Sequence, residues 1–170
     1  MQQATPQQQS WLLDGGSLTR RLIRLCGSEF NVQLLGEGRN RPHLDEASAL
    51  STRWGEQARV REVYLCAGSI PLVYARTVIP FSTLQGAARR LAHLGGRPLG
   101  ALLFSSKGMR RAGIQVSRLS GSLLQHDLSD EPVWGRRSVF YLADKPLMVS
   151  EYFLPSLFGL LEGASVSGGS

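Results

Sequence analysis

Two strand-like runs with almost nothing between them constrain this chain most. Arg59 to Ala67 (RVREVYLCA) and Ile70 to Pro80 (IPLVYARTVIP) are rich in β-branched and aromatic residues and are joined through Ala67–Gly68–Ser69. A connection that short leaves no room for a crossover, so the runs pair antiparallel as a hairpin. A second pair is read near residues 136–142 and 147–154, flanking Ala143–Asp144–Lys145–Pro146. Helical signals lie before and between these pairs. Ser17 caps a helix from Leu18 to Cys26 that Gly27 stops, with Leu18, Leu22 and Leu25 on one stripe. Ser82 and Gln85 have capping-box spacing and predict a helix to Leu94, ended by Gly95–Gly96. Pro98 opens a shorter helix through Phe104. Residues 29–35 and 114–119 read as further strands. Hairpins with helices inserted between them predict an antiparallel sheet in a single-domain α+β fold.

Composition narrows the class. A chain of 170 residues with 42% hydrophobic and 19% charged residues is long enough to bury one core. Residues 1–10 and 161–170 are expected to be disordered tails around a domain at 11–160, and residues 36–57 are the least patterned stretch. The longest apolar runs, such as Ile70 to Ala75, are strand-sized, so no membrane insertion is expected. The net charge is +6, and all basic residues but Lys107 and Lys145 are arginines. They fall in scattered pairs (Arg20/Arg21, Arg89/Arg90, Arg110/Arg111, Arg136/Arg137) without a nucleic-acid motif, so no nucleic-acid partner is expected. Cys26 and Cys66 make neither a disulfide framework nor a zinc motif. The polar, glutamine-rich start lacks the features of a signal peptide, which predicts a cytoplasmic protein.

The familiar catalytic signatures do not occur. His43, His93 and His126 have no accompanying GxSxG, and no GxxxxGK[ST] or strand-linked GxGxxG occurs. What stands out is charge inside strands. Arg61 shares a face with Val63 and Leu65, and Glu151 shares one with Val149 and Phe153. Charged groups among core-facing residues cost free energy unless paired or ligated. Periodicity allows a structural pair, Arg61–Glu151 or Arg61–Glu62, or an outward-facing edge. It equally allows an anion-binding arginine that faces a carboxylate across an apolar cavity. Arg76, Arg136 and Arg137 are candidates of the same kind, and the pattern does not rank them.

Six blocks carry a resemblance: WLLDGGSLTRRL (11–22), REVYLC (61–66), ARTVIPFSTL (75–84), LGGRPLGALLF (94–104), WGRRSVF (134–140) and KPLMVSEYFLP (145–155). In combination and order they resemble the chorismate pyruvate-lyases, which release pyruvate from chorismate to make 4-hydroxybenzoate for ubiquinone synthesis. The resemblance implies a six-stranded antiparallel sheet, helices on one side, and a ligand buried under two helical flaps. It implies that Arg61 binds the ring carboxylate and Glu151 meets the 4-hydroxyl end. It also implies that Leu18 and Leu99 touch the ligand from the flaps, partly through backbone amides. Leu18 stands where the family commonly has methionine. Residues 36–57 and the stretch after Pro155 depart from the family pattern. No cofactor and a monomeric enzyme are implied. The ligand domains of GntR-type regulators are similar in fold, so the alternative is a non-catalytic effector-binding module. The short N-terminal extension argues against the winged helix such a regulator would carry.

Overall fold

A computed structural model describes residues 3–53, 55–120 and 131–167. In chain order the elements are α1 (Pro6–Leu12), α2 (Leu18–Cys26), β1 (Phe30–Asn40), α3 (Leu44–Leu50), β2 (Ala58–Ala67) and β3 (Ile70–Pro80). A 3-10 helix (Gly86–His93) follows, then α4 (Leu99–Ser105), β4 (Arg110–Arg111), β5 (Gln115–Ser120), β6 (Pro132–Leu142), β7 (Lys145–Phe153) and α5 (Pro155–Ser167). Both hairpins form. Gly68 takes φ +58° in the first turn, and Ala143 and Asp144 take +48° and +63° in the second. Two consecutive left-handed residues match the strand twist, so the second turn is tighter than the four residues expected.

All pairings are antiparallel, and the order across the sheet is β1-β2-β3-β7-β6-β4, with β5 also on β6. The sheet therefore has seven strands in six positions, because β4 and β5 share one edge. Register places residues 61, 77, 149 and 138 in one row across β2, β3, β7 and β6. The next row holds Val63, Ala75, Glu151 and Arg136.

The period of two sends these rows to one face and Val60, Glu62, Arg76, Met148 and Arg137 to the other. On the first face Trp11, Leu12, Leu22, Leu72, Phe153 and Leu157 form one core cluster. A second cluster there joins Leu91, Leu94, Leu99 and Leu103 to Phe140, Leu147 and Val149. Helices α1, α2, α4 and α5 thus cover one side, as expected. Helix α3 lies on the other side, where Leu50 packs with Val60, Val78 and Met148. It comes from the weakly patterned residues 36–57, most of whose start extends β1 to Asn40.

Two further departures have local causes. The helix expected over Ser82–Leu94 is a 3-10 helix from Gly86. The Ser82 hydroxyl donates to Glu56 instead of capping, and Gly86 sits at φ +75°. Helices also occupy parts of both expected tails. A Thr5–Gln8 capping box starts α1, and burial of Trp11 and Leu12 anchors it. Helix α5 is anchored through Leu157 and runs to Ser167. Among the described residues no helix is long and apolar enough to cross a membrane.

Candidate functional site

Under α2 and α4 the first face of the sheet forms a cavity, the kind of concave, mostly apolar space in which small molecules bind. Its walls are mostly apolar: Leu18 from α2, Leu99 and Leu103 from α4, and Val63, Ala75, Phe140 and Val149 from the sheet. The two helices that roof it meet at Gly100. A Cβ there would lie 2.7 Å from Thr19 Oγ1, so a glycine lets α4 approach α2 this closely. Leu18 and Leu99 are the first residues of their helices, where backbone amides have no intrahelical acceptor.

Four ionisable side chains line the cavity: Arg61, Arg111, Arg136 and Glu151. Three guanidiniums against one carboxylate leave an excess of two positive charges. Arg61 is 4% exposed, and its Nη2 donates to the carbonyls of Gly95 and Arg97 at 2.9 Å each. It has no carboxylate partner among the described residues, and its buried Nε is without a hydrogen bond. Desolvation lowers its pKa, while Glu37, itself held by Arg59, pulls the other way. Glu151 is not paired with Arg61. Its Oε2 accepts from Arg136 Nε at 2.7 Å. Arg136, 2% exposed, also donates through Nη1 to the carbonyls of Trp11, Leu12 and Asp14. Arg111 donates to Ser138 Oγ at 3.0 Å and to the Gly15 carbonyl at 3.3 Å. Desolvation and the nearby Arg136 lower its pKa, with Glu151 and Asp14 opposing.

The structure therefore brings Leu18, Arg61, Leu99 and Glu151 around one space and separates them from Arg76 and Arg137, which face the opposite side. There Arg76 makes a bidentate pair with Glu46 at 2.7 and 3.2 Å and a third contact with Glu62, and Arg137 pairs with Asp45. Arg111 is the ionisable lining residue that the strand pattern did not single out. A two-residue strand shows no period, so only its pairing with Phe140 fixes the face of Arg111. His43 precedes α3, His93 ends the 3-10 helix, and neither lines the cavity; His126 lies outside the described residues. No group of three or more potential metal ligands occurs among the described residues.

A family model described as chorismate lyase matches residues 1–161. A protein of Methylococcus capsulatus named probable chorismate pyruvate-lyase is 45% identical, covering 92% of this chain and 99% of its own. One of the same name from Pseudomonas aeruginosa is 43% identical over 87% of this chain and 83% of its own. Among solved structures, a GntR-family transcriptional regulator from Bacillus cereus superposes with a TM-score of 0.58 at 14% identity, over 76% of this chain and 94% of that one. The effector domain of PhnF from Mycobacterium smegmatis gives 0.58 at 17% identity, over 85% and 91%. At such identities the structural likeness concerns the fold alone.

Proposed function

The chain belongs to the chorismate lyase family, and from that premise we propose that it eliminates pyruvate from chorismate to give 4-hydroxybenzoate, the aromatic precursor for ubiquinone synthesis. In this reaction the bond from the ring to the ether oxygen breaks and the hydrogen on C4 leaves as a proton. Its electron pair completes the aromatic ring, and the enolpyruvate takes up a proton to become pyruvate. The step is redox-neutral and aromatisation drives it, so the protein's task is positioning and charge placement in a closed, dry space.

The observation that carries the reading is Arg61, a buried guanidinium that has no carboxylate partner among the described residues and an unbonded Nε in a mostly apolar cavity. Such a group is costly unless an anion joins it. In our reading Arg61 holds the ring carboxylate, Glu151 meets the 4-hydroxyl and polarises the C4 end, and Leu18 and Leu99 close the site with their helices. The excess of two positive charges suits a dianion. In this reading the enzyme works as a monomer in the cytoplasm.

Incubation with chorismate tests this. Equal amounts of pyruvate and 4-hydroxybenzoate are expected, at a rate unaffected by EDTA. Tight binding of 4-hydroxybenzoate without turnover of chorismate would instead favour the effector-binding module that the fold also accommodates.

A further inference from the structure

Chorismate carries two carboxylates, one on the ring and one on the enolpyruvyl arm, and the roles above account for one. Of the three cavity guanidiniums, Arg61 is assigned to the ring and Arg136 is taken up by Glu151 and three carbonyls. Arg111 remains. Its hydrogen-bond partners are one hydroxyl and one carbonyl, it has no carboxylate partner among the described residues, and its Nη2 has no hydrogen bond there.

Its place in the sheet fits the second carboxylate. Residues 61, 77, 149 and 138 form one row, and the Arg111 side chain extends that row by donating to Ser138. Arg61 and Arg111 therefore approach the cavity from opposite ends, on strands four spacings of about 4.8 Å apart. Glu151 projects from the adjacent row between them. A ring held at one end by Arg61, with its 4-hydroxyl toward Glu151, has its 3-substituent on the side of β6 and β4.

We propose that Arg111 binds the enolpyruvyl carboxylate of the substrate, and thereby distinguishes dianionic substrate from monoanionic product. The assignment rests on the lyase reading. A guanidinium suits this role because it remains charged when buried and offers two parallel donors to a carboxylate. The contact exists with chorismate and vanishes once pyruvate leaves, so it favours substrate entry without adding to product retention. It is made in ground and transition state alike, so it acts on KM more than on kcat.

Two measurements test it. Arg111→Met should raise KM for chorismate about ten- to hundredfold, the loss expected for a charge-assisted contact. The Kd of 4-hydroxybenzoate should stay within about twofold of wild type by the same principle. Arg111→Lys, which keeps the charge, should recover part of the loss. A common rise in KM and in the product Kd, or no change in either, would overturn the assignment. The second measurement needs no variant. Wild type should bind 3-(carboxymethoxy)-4-hydroxybenzoate more tightly than its 3-ethoxy counterpart, which has an arm of similar size without charge. Equal affinities would also overturn it. If wild type makes no 4-hydroxybenzoate from chorismate, the lyase reading itself fails, an outcome separate from either result.

Discussion

The two faces of the sheet use the same residue types for opposite ends. On the α3 face, Arg76 is neutralised by Glu46 and Glu62, and Arg137 by Asp45. Tyr74 donates to Glu62, and burial, with Glu62 alongside, drives its pKa far upward. On the cavity face, among the described residues, Arg61 and Arg111 hydrogen-bond to carbonyl and hydroxyl oxygens and to no carboxylate, and Glu151 is paired with Arg136. A fold seeking stability alone would pair these charges or replace them with apolar side chains. The difference teaches where to look for a ligand: at the cation that the protein has left without an anion.

The contrast breaks if the paired face proves dispensable. Arg76→Met leaves Glu46, 5% exposed, without its arginine. Breaking a buried pair on one side costs about 3–5 kcal/mol, so urea denaturation should show a large loss of stability. Turnover per folded molecule should hold, since Arg76 does not line the cavity. A near-neutral variant would mean that this cluster is not what holds α3 to the sheet.

Glu151→Gln keeps shape and removes the one carboxylate that lines the cavity among the described residues. If that charge acts at C4, kcat should fall about a hundredfold or more while 4-hydroxybenzoate still binds. Steady-state kinetics beside a binding titration separates the two quantities, and an unchanged kcat would reduce Glu151 to a partner for Arg136.

Arg61→Ala sharpens the comparison from the other side. Its loss should weaken binding of 4-hydroxybenzoate by about 1.5–3 kcal/mol, or roughly ten- to hundredfold. The same variant should lose less stability than Arg76→Met, because no carboxylate is stranded. A calorimetric titration and a melting curve on one sample test both halves, and a greater stability loss than in the Arg76 variant would reverse the distinction.

The smallest effect concerns the connection between α1 and α2. Asp14 accepts from the Gly16 amide and from Arg21, which also stacks on Trp11 at 3.8 Å. The Gly16 amide, chiefly, and Arg21 hold its pKa below the ordinary 3.8, against partial desolvation. A depressed folded-state pKa contributes stability that is full above the unfolded value and is lost as pH falls through the folded one. Wild type should therefore lose this contribution below about pH 4. Asp14→Asn should flatten that part of the stability–pH profile, and parallel profiles would remove Asp14 from the account.

The sequence by itself determined what depends on near neighbours and on period. The hairpin through Gly68 follows from two strand runs with no room for a crossover, and α2 follows from Ser17, Gly27 and a leucine stripe. The shared faces of Arg61 with Val63 and of Glu151 with Val149 follow from alternation alone. The six motif blocks added the family, and with it the four residues that the fold brings around one cavity.

Only the tertiary structure decided the partners. Whether Arg61 pairs with Glu62, with Glu151 or with neither depends on strand order and on which helix covers which face, and those are long-range facts. Glu62 is taken by Tyr74 and Arg76 on the α3 face, and register across β7 and β6 gives Glu151 to Arg136. Helix α3 was illegible because its amphipathic signal is seven residues long and its partners, Arg76 and Met148, are remote in sequence. Arg111 was illegible for the same reason: a two-residue strand has no period, and its face is set by β6, nearly thirty residues further along the chain.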